Sequence, residues 1–291
     1  KGLTMDIKDL EYFAAIATEG TISKAAEALH ITQPGLSRKM KELEESLGTS
    51  LFERGSRRIH LTEEGMILKR RADEVISLMQ RTQQEIIHAH DSLSGVVHIG
   101  AGESKAFHYL SRIIRSMQQD YPDVGFTVTS GDTTDLMEQL GHGLLDVALI
   151  FTEYDIKQYQ GISIPDADTL GVLMRKDAPL AEKTALTIKD LTGLPLIIPR
   201  ASESFINASN RYANLNIAAH YNLIYNASVM VEDGIGYAIG FDDLINTSGD
   251  SPLTFRPFKN AIRQQGFVIW KKYQTFTGAV AEFIHRLEQI V

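Results

Sequence analysis

The chain has 291 residues, 43% of them hydrophobic, with a formal net charge of −8 and no cysteine. This is enough for more than one apolar core, so one large or two to three smaller domains are expected, while disulfides and thiolate metal sites are excluded. No apolar run approaches the ~20 residues needed to cross a bilayer, Lys1 to Leu10 lacks the apolar centre of a signal peptide, and the acidic balance argues against indiscriminate nucleic-acid binding. A cytoplasmic protein is expected, with a natural start at Met5.

The first helix is expected from Ile7 to Thr18, with Leu10, Phe13 and Ile16 inward, Asp6 as its cap and Gly20 as its stop. A second, short helix follows, in which Ala25, Ala26 and Leu29 share one face. The paired alanines are small enough for another helix to come close. Thr32 is placed to cap a third helix, and Pro34 is tolerated there because first-turn N–H groups have no intrahelical partner. Leu36, Met40 and Leu43 recur at helical spacing on its buried side.

The opposite face of the third helix carries Gln33, Ser37, Arg38 and Lys41. Gln can pair with a base edge, Ser can bond a base or a phosphate, and Arg and Lys neutralise phosphates. That pattern fits a recognition helix entering the major groove; a solvated face in a small helical domain is the alternative. Glu42, Glu44 and Glu45 lie further along, where they need not meet DNA. From Leu51 to Thr62, apolar residues flank a basic, Gly-containing turn that reads as a β-ribbon wing. Arg54, Arg57 and Arg58 would reach the DNA backbone or the narrow groove.

The order A-A-x-x-L-H-I-T-Q-P-x-L-S-R from Ala25, then L-E-x-x-L-G, L-F-E-R and L-T-x-x-G, resembles the N-terminal domain of LysR-type transcriptional regulators. The match runs without a gap through most of Met5 to Gly65. The resemblance implies a winged helix-turn-helix domain over 5–65, a double-stranded DNA operator as partner and control by a small molecule. It leaves RNA polymerase open as a further partner and implies no cofactor.

Thr62 sits where the next cap belongs, with Glu63 and Glu64 complementing the helix dipole. Leu68, Ala72, Val75, Met79, Thr82, Ile86, Ala89 and Leu93 then step by fours and threes, a heptad seam suited to a second copy of itself. A helix packed on its own domain is the alternative. In the resembled family this linker helix, 66–93, forms the homodimer or homotetramer. His88 and His90 do not share a helix face and are read as solvated rather than metal-binding.

The second half is expected to be α/β. Strands are placed at Val96–Ile99, Phe126–Thr129, Asp146–Phe151, Gly171–Arg175, Pro195–Ile198, Tyr237–Phe241 and Gln265–Trp270. Helices are placed at Ser104–Gln119, Asp135–Gly141, Thr187–Leu191, Asn226–Gly234 and Phe276–Ile290, with Gly100–Gly102 as a turn. Alternation of this kind argues for a largely parallel sheet covered on both faces. The stretches around Tyr121-Pro122 and Leu144-Leu145-Asp146 resemble the effector domain of the same family. The fold class is therefore α and α/β: winged helix-turn-helix, long linker helix and a two-lobe effector domain over 94–291 that resembles type 2 periplasmic binding proteins. Lobe I would be about 94–166 and 269–291, and lobe II about 167–268.

Ligands of open α/β sheets sit beyond the carboxyl ends of strands, near free helix N–H groups. Ser104, Thr133, Thr134, Arg200, Ser202, Asn226 and Ser228 fall in such turns, suited to a small polar or anionic effector. Ordinary capping is the alternative for each hydroxyl or amide. Glu103 and Asp132 would repel a purely anionic effector, which leaves a zwitterion equally open. No catalytic residue is expected: there is no Cys nucleophile, G-x-S-x-G elbow or P-loop, and Ser104-Lys105 lacks a partner base.

Overall fold

Asp6 and Asp9 start the first helix, α1 (Ile7–Glu19), with a reciprocal capping box, each carboxylate accepting the other's backbone N–H at 2.9–3.1 Å. Gly20 ends α1 in the left-handed region at φ 70°, which costs little without a Cβ. The structure, a computed structural model, describes residues 5–53, 59–87, 93–200, 215–260, 262–274, 276 and 278–290. Arg54, Arg57, Arg58, His88, Ala89, His90 and Ser202 lie outside these. The chain divides into two units, Lys1–Ile87 and His88–Val291.

In the first unit, α2 (Ile22–Ala28) and α3 (Gln33–Leu47) follow α1. His30 takes φ 55° in the turn between them, and Ile31 N–H bonds Ala26 C=O at 2.9 Å. Leu10, Phe13, Ile16, Ala25, Ala26, Leu36, Met40 and Leu43 close one core. Thr32 occupies the cap position of α3, but its side chain makes no capping hydrogen bond, contrary to expectation. Beyond α3, Phe52 and Leu61 form an antiparallel bridge, reinforced by Glu53 N–H to His60 C=O at 2.9 Å. The Glu44 carboxylate anchors this ribbon by accepting the Leu51 N–H at 2.7 Å. Thr62 Oγ1 caps α4 (Glu63–Ile87) by accepting the Gly65 N–H at 3.0 Å.

The expected seam of α4 divides by burial. Leu68 and Ala72 pack into the core of their own unit, whereas Val75, Thr82 and Ile86 are exposed, as is Leu78 outside the seam. Leu93 leaves the seam altogether and packs on the core of the second unit.

The second unit runs β1 (Gly95–Ala101), α5 (Phe107–Asp120), β2 (Val124–Ser130), α6 (Thr133–Gly141), β3 (Val147–Ile150) and β4 (Tyr159–Arg175). After two 3-10 turns it continues with β5 (Pro195–Pro199), β6 (Asn216–Tyr221), α7 (Ile224–Glu232), β7 (Tyr237–Phe241), β8 (Leu253–Pro257), β9 (Arg263–Lys271) and α8 (Gly278–Glu288). The strand order is β2-β1-β3-β9-β4-β7-β5-β6, with β8 also on β4. Strands are parallel within each lobe (β1 with β2 and β3; β5 with β6 and β7), but β4 and β9 pair antiparallel with their neighbours. The sheet is thus mixed rather than largely parallel.

These two long strands join the lobes, paired from Tyr159 opposite Lys271 to Thr169 opposite Arg263, with a register shift between Ser163 and Ala167. Pro165 lies inside that shift, where a ladder N–H is not required. In lobe I, Val97, Ile99, Val147 and Leu149 meet α5 and α8 on one face, while Leu136, Leu145 and Ile150 fill the other. Lobe II likewise has a cluster on each face, around Val172 and Ile198 and around Ile197 and Ala227.

Several boundaries differ from the pattern read in sequence, three of them beside the ligand cleft. Gly100 and Ala101 continue β1, α5 starts at Phe107 rather than Ser104, and α7 starts at Ile224 rather than Asn226. The first half of β4, and the whole of β6 and β8, carried no strand signal that sequence reading recognised.

Candidate nucleic-acid interface and ligand cleft

The first site is the outer face of α3. With Leu36, Met40 and Leu43 buried, the helix turns Thr32, Gln33, Pro34, Arg38 and Lys41 to solvent, and Ser37 is half-buried. Of the cations of α3, Arg38 is the most exposed, its side chain 82% in solvent, and Nε lies 2.9 Å from Glu42 Oε1. Lys39 also reaches Glu42 at 3.7 Å, and Lys41 pairs with Glu45 at 3.7 Å. Arg38 holds the Glu42 carboxyl below its usual pKa range. The cations of this face are therefore partly neutralised by acids one helical turn on, a role that sequence reading did not give those acids. They remain exposed enough to exchange a carboxylate for a phosphate.

The second site lies between the lobes, where five loops follow the carboxyl ends of strands, as open α/β sheets require. The loop after β1 carries Glu103, Ser104 and Lys105, and each meets a different element of lobe II. Glu103 Oε2 accepts the Ile224 N–H of α7 at 2.5 Å. Ser104 Oγ donates to Asp168 Oδ2 on β4 at 2.5 Å and accepts the Ala106 N–H at 2.8 Å. Lys105 Nζ lies 3.1 Å from Asp243 Oδ2, just after β7. From the loop after β5, Arg200 reaches Asp132 and Asp135 of the first lobe, both at 2.5 Å. These two acids raise the pKa of the Arg200 guanidinium.

Burial pushes the Tyr221 phenol far above its ordinary pKa, and the nearby Glu103 charge adds to the effect. Its hydroxyl donates to Ile239 C=O at 2.7 Å, so the phenol serves as a fixed donor beside the cleft.

The cleft gathers some of the expected ligand residues and not others. Ser104 is buried against Asp168, Thr133 is half-buried as the first residue of α6, and Arg200 bridges to the cap of that helix. Thr134 and Asn226 are exposed within the first turns of α6 and α7. Ser228 is buried and spends its hydroxyl on Tyr225 C=O at 2.7 Å. Asp168 and Asp243 had no part in the sequence reading. Asp243 follows a recognised strand and could have been found by the strand-end rule, whereas Asp168 sits in the Pro-Asp-Ala-Asp run that hides β4.

Residues 7–66 match the family model described as a bacterial regulatory helix-turn-helix protein, lysR family, and residues 90–290 match the LysR substrate binding domain. The chain is 32% identical over 194 residues to the HTH-type transcriptional regulator YybE of Bacillus subtilis (strain 168), covering 67% of this chain and 66% of YybE. It is 28% identical over 246 residues to a probable RuBisCO transcriptional regulator of Cyanophora paradoxa, covering 81% of this chain and 76% of that protein. Its fold is similar to full-length CbnR in complex with target DNA, at a TM-score of 0.71 and 19% identity, covering 99% of this chain and 100% of CbnR. Among the described residues, no helix is long and apolar enough to cross a membrane.

Proposed function

This chain belongs to the LysR family of transcriptional regulators, and from that premise we propose that it reads a specific operator through α3 and answers to a small molecule held between its two lobes. The observation that carries the reading is the outer face of α3, where Gln33 and Arg38 project from a helix whose other side is sealed in the core. Gln33 at the leading end is placed to bond a base edge, and Thr32, Pro34, Ser37 and Lys41 to flank it along the phosphates. Arg54, Arg57 and Arg58, outside the described residues, are assigned to the backbone and the minor groove.

Ser104, Thr133, Thr134, Arg200 and Asn226, with Ser202 and Ser228 nearby in sequence, are assigned to the cleft. Acids outnumber bases there, since Glu103, Asp132, Asp168 and Asp243 face Lys105 and Arg200. That balance favours a small polar effector with both an acid and a basic or hydroxyl group over a plain anion. Its binding would shift the population of open and closed lobes. The exposed side chains of α4 support a homodimer, with 66–93 as its linker and two recognition helices spaced for a two-part operator. The protein acts as a cytoplasmic regulator rather than an enzyme.

Selection of bound sequences from a random DNA pool, followed by footprinting, tests the operator reading. Native mass spectrometry of the whole protein with candidate metabolites tests the effector. A selection that enriches no sequence would overturn the first, and a cleft that retains no polar metabolite would overturn the second.

A further inference from the structure

The helix α7 brings no capping side chain of its own. Its N-cap is Leu223, which makes no side-chain hydrogen bond. The first N–H is instead taken by a carboxylate 121 positions away, Glu103 of the other lobe. A carboxylate at a helix N-terminus is favoured by both the free N–H and the helix dipole. The bond does not stand alone. Ser104 holds the same loop to the crossing strand through buried Asp168, and Lys105 reaches Asp243 on the far side. Three consecutive residues thus grip three different elements of lobe II, while Arg200 returns the grip from lobe II to Asp132 and Asp135.

We propose that Glu103–Lys105 is an intramolecular clasp that holds the cleft closed, with the Glu103 carboxylate occupying the backbone N–H that an effector's acid group would otherwise take. The closed form is then reachable without effector, and an acidic effector gains a place only by displacing Glu103. A molecule that instead leaves Glu103 in place must present a basic group to it. Glu103 therefore sets both the resting state and the charge that the cleft accepts. The assignment of the cleft to an effector rests on the reading above; the clasp itself does not.

Hydrogen exchange of the full-length protein tests the clasp. In Glu103→Ala, amides in the first turn of α7 and in the loop after β7 should exchange on the order of tenfold faster, as loss of one charge-assisted bond implies. Exchange in α4 and β3 should not change. Acetate added in excess should restore protection at the Ile224 amide of Glu103→Ala but not in the loop after β7, because it supplies the missing carboxylate without the tether to the first lobe. Unchanged exchange at α7, or acetate that restores both regions alike, overturns the proposal. If Glu103→Ala fails to fold, Glu103→Met carries the test, because it keeps the bulk and removes the acceptor: local acceleration confined to the cleft supports the clasp, and unchanged exchange overturns it. Failure to find an operator or effector would leave this result standing.

Discussion

Ser104 Oγ donates a 2.5 Å hydrogen bond to Asp168 Oδ2, and both residues are buried although 64 positions separate them. The second oxygen of Asp168 accepts the Lys105 N–H at 3.2 Å, so this one carboxylate secures the loop after β1 to the strand that joins the lobes. Ser104→Ala leaves a buried charge with one fewer donor. The expected cost is roughly 1–3 kcal/mol of unfolding free energy, read as a lower urea midpoint at unchanged slope. Asp168→Asn should be no better, since an amide cannot accept both bonds as strongly. A wild-type midpoint for Ser104→Ala would show that the bond contributes nothing to stability.

Glu42 holds the guanidinium of Arg38, the side chain proposed above to meet DNA. Its carboxylate lies 2.9 Å from the guanidinium and also draws Lys39. Glu42→Gln should raise affinity for all DNA sequences alike and steepen the salt dependence by about one unit of slope, because a released cation becomes available to a phosphate. Gln33→Ala should behave differently, relaxing preference at one base pair at a cost of about 1–3 kcal/mol with the slope unchanged. Salt titrations on matched and mismatched duplexes separate the two effects; identical behaviour of both variants would remove the assigned roles.

Asp190 gives one segment of lobe II a definite dependence on pH. It accepts the Thr187 N–H at 2.7 Å and the Thr187 hydroxyl at 2.8 Å, and it pairs with Lys183. Lys183 first, then Thr187, hold its carboxyl well below the ordinary value of 3.8. Because the folded value is depressed, the stabilisation is fully present above the unfolded value and is lost as pH falls through the folded one. Asp190→Asn should therefore cost roughly 1–2 kcal/mol near neutrality, and the difference from wild type should shrink below about pH 4. Parallel urea curves at neutral and acid pH measure it, and a difference that persists into strong acid would contradict the assignment.

Ile86 is 68% exposed near the end of α4, in line with exposed Val75 on the same seam. Ile86→Asp should leave the fold of its own unit untouched, because the residue is mostly in solvent there and lies outside the core. It should instead dissociate the homodimer, since a charge on a coiled-coil seam has to be desolvated on pairing. Sedimentation velocity reads the outcome, and a variant that stays dimeric at wild-type concentrations would move the interface elsewhere.

Local order alone determined the first unit. The cap at Asp6, the stop at Gly20, the helical spacing of Leu36, Met40 and Leu43, and the cap at Thr62 each act over one or two turns, so neighbouring residues carry the whole signal. The alternation of strands and helices likewise announced an α/β unit, and its two lobes were implied by resemblance. Tertiary structure alone decided what happens where the lobes meet. The first half of β4 reads as a loop because Pro165, Asp166 and Asp168 interrupt it, yet pairing with β9 makes it a strand and buries Asp168. Hydrogen bonds from Ser104 and Lys105 then satisfy that buried carboxylate. Glu103 reads as a cleft carboxylate that would repel an anion, but it caps a helix 121 positions away. Periodicity reports the face a residue shares with its neighbours; it carries no information about which distant N–H, hydroxyl or guanidinium will meet a charge once the chain has closed on itself.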